Sequence, residues 1–167
     1  MGLRHSTRLA SQFQQYSLRG EPEMHSFREV TDNFFVSPQI SVEDVETAHK
    51  SGFETLIMNR PPGETPDQPD TQAIVDAASG NVMTFFHIPI TAPPQMPDVD
   101  ATIDALEQSA GKKVLAFCRS GTRSVTLWAY AMAKMKSLEP MEIISKAGAA
   151  GYDLSPHTQN LQALYEL

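Results

Sequence analysis

The chain has 167 residues, 41% of them hydrophobic, and a formal net charge of −7; that is length enough for one domain with its own core. No apolar run approaches the roughly 20 residues of a membrane-spanning helix, and an acidic chain without a Lys/Arg block is a poor match for nucleic acid. A single cysteine leaves no internal disulfide and no cysteine-based zinc site, calls for no cofactor, and fits a reducing, cytoplasmic setting.

Residues 1–26 read as an N-terminal extension ahead of a domain at 27–167. Met1 to Gly20 carries Arg4, Arg8 and Arg19 and no acid. It has no apolar h-region, so it is not a secretory signal. Phe27 to Val36 reads as one or two short strands broken at the turn cluster Thr31-Asp32-Asn33. Ser41, with Asp44 three residues on, opens a helix that Gly52 ends. Phe53 to Met58 alternates as a strand. Asn59 to Pro69 holds four prolines and must be a loop.

Thr71 to Ser79 reads as a short helix, Val82 to Ile90 as a strand and Thr91 to Pro97 as a second Pro-rich loop. A helix follows over Asp98 to Ala110, then a strand over Lys113 to Phe117 and a long apolar helix over Thr122 to Lys136. Pro140 and Pro156 open two more helices. Successive strand–helix units imply an α/β fold, a central, mostly parallel sheet flanked by helices, in a single domain. Ligands of such sheets bind beyond the carboxyl ends of the strands. The loops after Met58, Ile90 and Phe117 are therefore expected to meet.

The third of these loops is the chemically loaded one: Cys118-Arg119-Ser120-Gly121-Thr122-Arg123-Ser124. A strand, a tight turn and a helix N-terminus form an anion cradle from loop amides and the helix dipole. That environment favours a thiolate, the nucleophilic form of cysteine. Arg119 and Arg123 add permanent charge, and a guanidinium can grip an oxyanion through two hydrogen bonds. Four residues separate Cys118 from Arg123. Cysteine phosphatases use a spacing one residue longer, which wraps a whole phosphoryl group. The Cys-Arg-x-Gly-x-Arg pattern resembles the active-site loop of rhodanese sulfurtransferases, whose cysteine carries a persulfide.

A wider resemblance runs from about Phe27 to the C-terminus. Its carriers are Phe35-Val36-Ser37-Pro38-Gln39, Asn59-Arg60-Pro61, Gln68-Pro69-Asp70, His87-Ile88-Pro89, the segment Leu115 to Ser124, Trp128 and Ala150-Gly151-Tyr152. On these the chain resembles the bacterial beta-lactamase-hydrolase-like family, phosphatase-like domain. The resemblance implies a fold similar to dual-specificity, cysteine-based phosphatases. It also implies an association with sulfur metabolism, because members occur fused to a persulfide dioxygenase, which becomes an expected partner.

A phosphatase normally supplies a general acid to the leaving alkoxide. Thr91 and Ala92 stand where that acid is expected after His87-Ile88-Pro89. Asp98 and Asp100 follow, but as first-turn acids of a helix they have a structural reason to be there. Sulfur transfer from thiosulfate needs no acid. The leading expectation is thus a sulfurtransferase with Cys118 as nucleophile and a thiol acceptor. The alternatives are a phosphatase acting through a phosphocysteine, and a non-catalytic anion or persulfide sensor. In each case the ligand is a small anion: thiosulfate, a persulfide or a phosphate ester. Arg123 holds loop and anion, Arg119 points outward, and the amides of Arg119, Ser120, Gly121, Thr122 and Arg123 stabilise charge. Ser124 bonds the thiolate or caps the helix. Asn59 and Arg60 line the pocket or simply make the turn before the prolines. His87 reads as a core histidine.

Overall fold

A computed structural model describes residues 27–167 apart from residue 92; the expected extension over residues 1–26 lies outside the described residues. Five strands appear among the described residues: β1 (Arg28–Thr31), β2 (Phe34–Ser37), β3 (Phe53–Met58), β4 (Thr84–His87) and β5 (Lys113–Phe117). They form one sheet in the order β1-β2-β5-β3-β4. Only β1 runs antiparallel, as a hairpin with β2; the other neighbours are parallel. Placing β5 between β2 and β3 reverses the direction of sheet growth beside β3, and the crevice of an open α/β sheet opens at such a reversal. Asn59 and Cys118 are the residues that leave β3 and β5 there.

Among the described residues six α-helices accompany the strands: α1 (Val42–Lys50), α2 (Thr71–Gly80), α3 (Met96–Gln108), α4 (Thr122–Lys134), α5 (Pro140–Ala149) and α6 (Thr158–Tyr165). Alternation along the central strands sorts the core into two layers. Val114 and Ala116 of β5, with Ile57 of β3, pack against Val99 of α3, Val125 and Trp128 of α4 and Ile143 of α5. Leu115 and Phe117, with Leu56 and Met58, pack against Val45 of α1 and Ile74 of α2. Each face of the pleat is therefore covered by helices, as an apolar parallel strand requires.

Ser41 opens α1 as its composition predicts: the Ser41 hydroxyl accepts from Asp44 N at 3.1 Å and Asp44 accepts from Ser41 N at 2.8 Å. Several boundaries differ from the expected ones: α3 ends at Gln108 rather than Ala110, α4 at Lys134 rather than Lys136, and α6 begins at Thr158 after a 3-10 turn that holds Pro156. The expected strand over Val82 to Ile90 shortens to Thr84–His87. Val82 turns at φ 57° and Pro89 has no N–H to give to a ladder. Helix α3 begins at Met96 rather than Asp98, because Pro97 is tolerated in a first turn. His87 is exposed rather than a core histidine, since β4 is the edge of the sheet.

Candidate active site

Cys118 leaves β5 directly into the N-terminus of α4. Its side chain is 1% exposed, so the sulfur sits at the floor of the loop rather than at its lip. Gly121 is the N-cap of α4 at φ 96°, and its N–H donates to Cys118 Sγ at 3.0 Å. That φ lies in the left-handed region, where a side chain is strained. Gly121 is therefore the residue that lets the loop turn its amide onto the sulfur. The positive end of the α4 dipole faces the same point.

The three loops expected to meet do so. Asn59 N donates to Phe117 O at 2.8 Å, and Ile90 N donates to Asn59 O at 3.1 Å. Arg123 spans the gap: its Nη1 donates to Ile90 O at 2.9 Å and to Glu64 Oε2 at 2.8 Å, and its Nη2 donates to Glu64 Oε1 at 2.7 Å. This is a bidentate guanidinium–carboxylate pair. The hydrogen bonds to Glu64 are the main reason that the Arg123 pKa is raised, with the charge of Cys118 adding in the same direction. Arg123 thus bridges the Glu64 carboxylate and the Ile90 carbonyl, close enough to Cys118 to feel its charge.

Glu64 is the residue that the sequence alone did not single out. It lies in the Pro-rich loop after β3, where an acid has no periodicity to mark it. The hydrogen bond from Arg123 holds its carboxyl at about 2, with the bond from Arg60 and the charges of both arginines helping against desolvation. Arg60 is 4% exposed and gives each nitrogen to protein: Nε to Glu64 Oε1 at 3.1 Å, Nη1 to Gln39 Oε1 at 3.2 Å, Nη2 to Thr65 Oγ1 at 3.0 Å. Asn59 is 1% exposed and its Nδ2 donates to Ile88 O at 2.9 Å. Neither side chain is presented to a ligand as pocket lining. Asn59 ties the strand ends together, and Arg60 shapes the loop that delivers Glu64 to Arg123.

The remaining loop residues divide by what they touch. Arg119 is exposed, outward as expected, while its carbonyl accepts from Gln39 N at 3.2 Å. The Ser120 hydroxyl donates to Thr122 Oγ1 at 3.1 Å, and the Ser120 carbonyl accepts from the Tyr152 hydroxyl at 3.0 Å. Ser124 is 1% exposed, and its Oγ has no hydrogen-bond partner among the described residues. It neither bonds the sulfur nor caps α4, whose N-cap position is held by Gly121.

The two acids considered as proton donors are occupied elsewhere. Asp98 Oδ2 accepts from Gln95 N at 3.0 Å at the start of α3. Asp100 pairs with Lys134 at the last turn of α4, about 18 Å of helix from the cysteine loop at 1.5 Å per residue. Glu64 is held as a carboxylate. Asp67, which feels the charges of Arg60 and Arg119, is also held below the usual carboxylate range, chiefly by a hydrogen bond from Thr65.

The mostly parallel sheet flanked by helices, with a cysteine between the end of a central strand and a helix N-terminus, is a cysteine-phosphatase-like fold. The sequence profile of the beta-lactamase hydrolase-like protein, phosphatase-like domain, matches residues 26–135, and the chain belongs to that family. A beta-lactamase hydrolase-like protein of Agrobacterium fabrum is 27% identical over 136 residues, 80% of this chain and 31% of that protein. The chain therefore spans about a third of the length of that relative. The crystal structure of a phosphatase candidate from Neisseria meningitidis Z2491 is 34% identical, covering 83% of this chain and 98% of that one, with a TM-score of 0.71. PTPMT1, solved in complex with PI(5)P, shares the fold at 13% identity over 84% of this chain and 95% of its own, with a TM-score of 0.68. No helix among the described residues is long and apolar enough to cross a membrane.

Proposed function

We propose that the chain hydrolyses phosphate esters through a phosphocysteine on Cys118. The observation that carries this reading is the Gly121 amide at the N-terminus of α4, aimed at the Cys118 sulfur at 3.0 Å. Membership of a phosphatase-like family supports it. The Cys118 thiolate attacks phosphorus, an S–P bond forms, and the ester P–O bond breaks. Loop amides and Arg123 neutralise the charge that gathers on the phosphoryl oxygens. Water then attacks phosphorus, the S–P bond breaks, and phosphate leaves with the thiolate restored.

Because Asp98 and Asp100 are committed to other contacts, the departing oxygen takes its proton from water. Esters of good leaving groups are then favoured. Turnover of a series of substituted aryl phosphates is expected to fall steeply as the parent phenol becomes less acidic, and alkyl phosphates to be poor substrates. A flat dependence on the leaving group would require a general acid and overturn this assignment.

Two observations favour a second reading. Four residues, not five, separate Cys118 from Arg123, and the carboxylates around the loop are held as anions. Both suit sulfur transfer: the thiolate attacks the outer sulfur of thiosulfate, a new S–S bond forms, the old one breaks and sulfite departs as a stable anion. A thiol acceptor would then remove the persulfide sulfur. Inserting one residue between Cys118 and Arg123 separates the two. The phosphatase reading expects loss of turnover in the insertion variant. Gain of phosphatase activity there, with loss of sulfur transfer, would favour the second.

A further inference from the structure

Tyr152 lies beyond α5 and outside the segment that the family profile matches, yet it touches the cysteine loop. It is 9% exposed, and its hydroxyl donates to Ser120 O at 3.0 Å. The ring presses on the next residue: a methyl group added to Gly121 would lie 2.1 Å from Tyr152 Oη. The Ser120 carbonyl and the Gly121 N–H belong to one planar trans peptide, so they point in opposite directions. Whatever holds the oxygen on one side aims the N–H on the other. That N–H is the one that donates to Cys118 Sγ at 3.0 Å.

We propose that Tyr152 is a positioning residue that fixes the Ser120–Gly121 peptide so that its N–H points at the Cys118 thiolate. The proposal rests on the reading of Cys118 as the nucleophile. Tyr152 is itself held from the sheet edge. The Arg28 guanidinium carbon lies 5.4 Å from its ring centroid, and Arg28 Nη1 donates to Ala150 O at 3.3 Å. Gly151, at φ 97°, leaves the room this needs, since a methyl group there would meet Arg28 Nη1 at 2.3 Å. Burial pushes the phenol above its usual range against the opposing charge of Arg28. The hydroxyl therefore stays protonated, and a donor, wherever the thiolate is needed.

Tyr152→Phe removes one O–H and keeps the ring. The chain has one cysteine, so alkylation by iodoacetamide reports Cys118 alone. With the N–H free to swing away, the thiolate loses part of one hydrogen bond to a charged group, and alkylation near neutral pH is expected to slow about three- to tenfold. Under strongly alkaline conditions the two rates are expected to converge. Superimposable pH–rate profiles would overturn the proposal. So would slowing by one factor at every pH, which is a change of access. Arg28→Gln, which loosens Tyr152 without touching its hydroxyl, is expected to shift the profile in the same direction by less, and an unchanged Arg28→Gln profile would contradict the thread from the sheet edge. Alkylation needs no turnover, so an inactive wild type would refute the phosphatase reading and leave this test standing.

Discussion

Arg123 and Arg60 both donate to the Glu64 carboxylate, and this shared acceptor sets the charge balance beside the sulfur. Lysine at position 123 could not keep two planar hydrogen bonds to Glu64 and the bond to Ile90 O. Arg123→Lys is expected to lower kcat by about 100-fold or more, the usual loss when a donor to developing charge is removed; steady-state kinetics checks it, and an effect confined to KM would argue for binding alone. Glu64 makes a second prediction. Its folded-state pKa of about 2 lies below the ordinary 4.5. The stability it contributes is therefore fully present above about 4.5 and lost as pH falls through about 2. In thermal melts across that window, Glu64→Gln should lose less stability than the wild type. Parallel losses would remove Glu64 from the acid response.

At the scale of elements, backbone conformation decides which substitutions the loops accept. Gly121→Ala places a methyl group 2.1 Å from the Tyr152 hydroxyl at a φ of 96°. Chirality alone costs roughly 1–2 kcal/mol there, and the overlap must move the loop or the ring. Turnover and Cys118 alkylation should both drop sharply, and a variant with wild-type rates would mean that the loop tolerates displacement. Val82 presents the opposite case. It is 92% exposed with φ 57°, so its side chain gains little and strains the turn between α2 and β4. Val82→Gly is expected to stabilise by about 1 kcal/mol, raising Tm by roughly 2–4 °C in a chain of this size; a fall in Tm would show that the chain entropy of glycine outweighs the strain.

The elements best read from sequence were those with a strong local pattern. Strands β3 and β5 appear with the expected bounds because alternation and an apolar run fix them, and Ser41 and Asp44 cap α1 through contacts three residues apart. The cysteine loop was legible as strand, glycine and helix start. What was not legible depends on distance in the chain. Glu64 and Arg123 meet across 59 positions, and Tyr152 reaches Ser120 across 32; no spacing rule announces either. Asn59 and Arg60 stand at the end of β3, and their burial among protein partners follows from the neighbouring strands and loops rather than from local spacing.

Across the whole molecule, the sheet order brings the ends of the paired strands β3 and β5 together, and a core of two layers packs on the faces of the sheet that carries them. Both layers draw on strands that cross the same sheet. A chain of residues 27–167 is therefore expected to unfold in one cooperative transition, by coincident circular dichroism and fluorescence melts. Two separated transitions would divide the domain. The central claim, that Cys118 carries a phosphoryl group, is tested most directly by acid-quenching the protein during turnover of p-nitrophenyl phosphate and weighing it intact. The account predicts a gain of one phosphoryl group that Cys118→Ser abolishes together with nitrophenol release. No phosphoryl adduct and no nitrophenol, with a gain of one sulfur on Cys118 after thiosulfate, would contradict it.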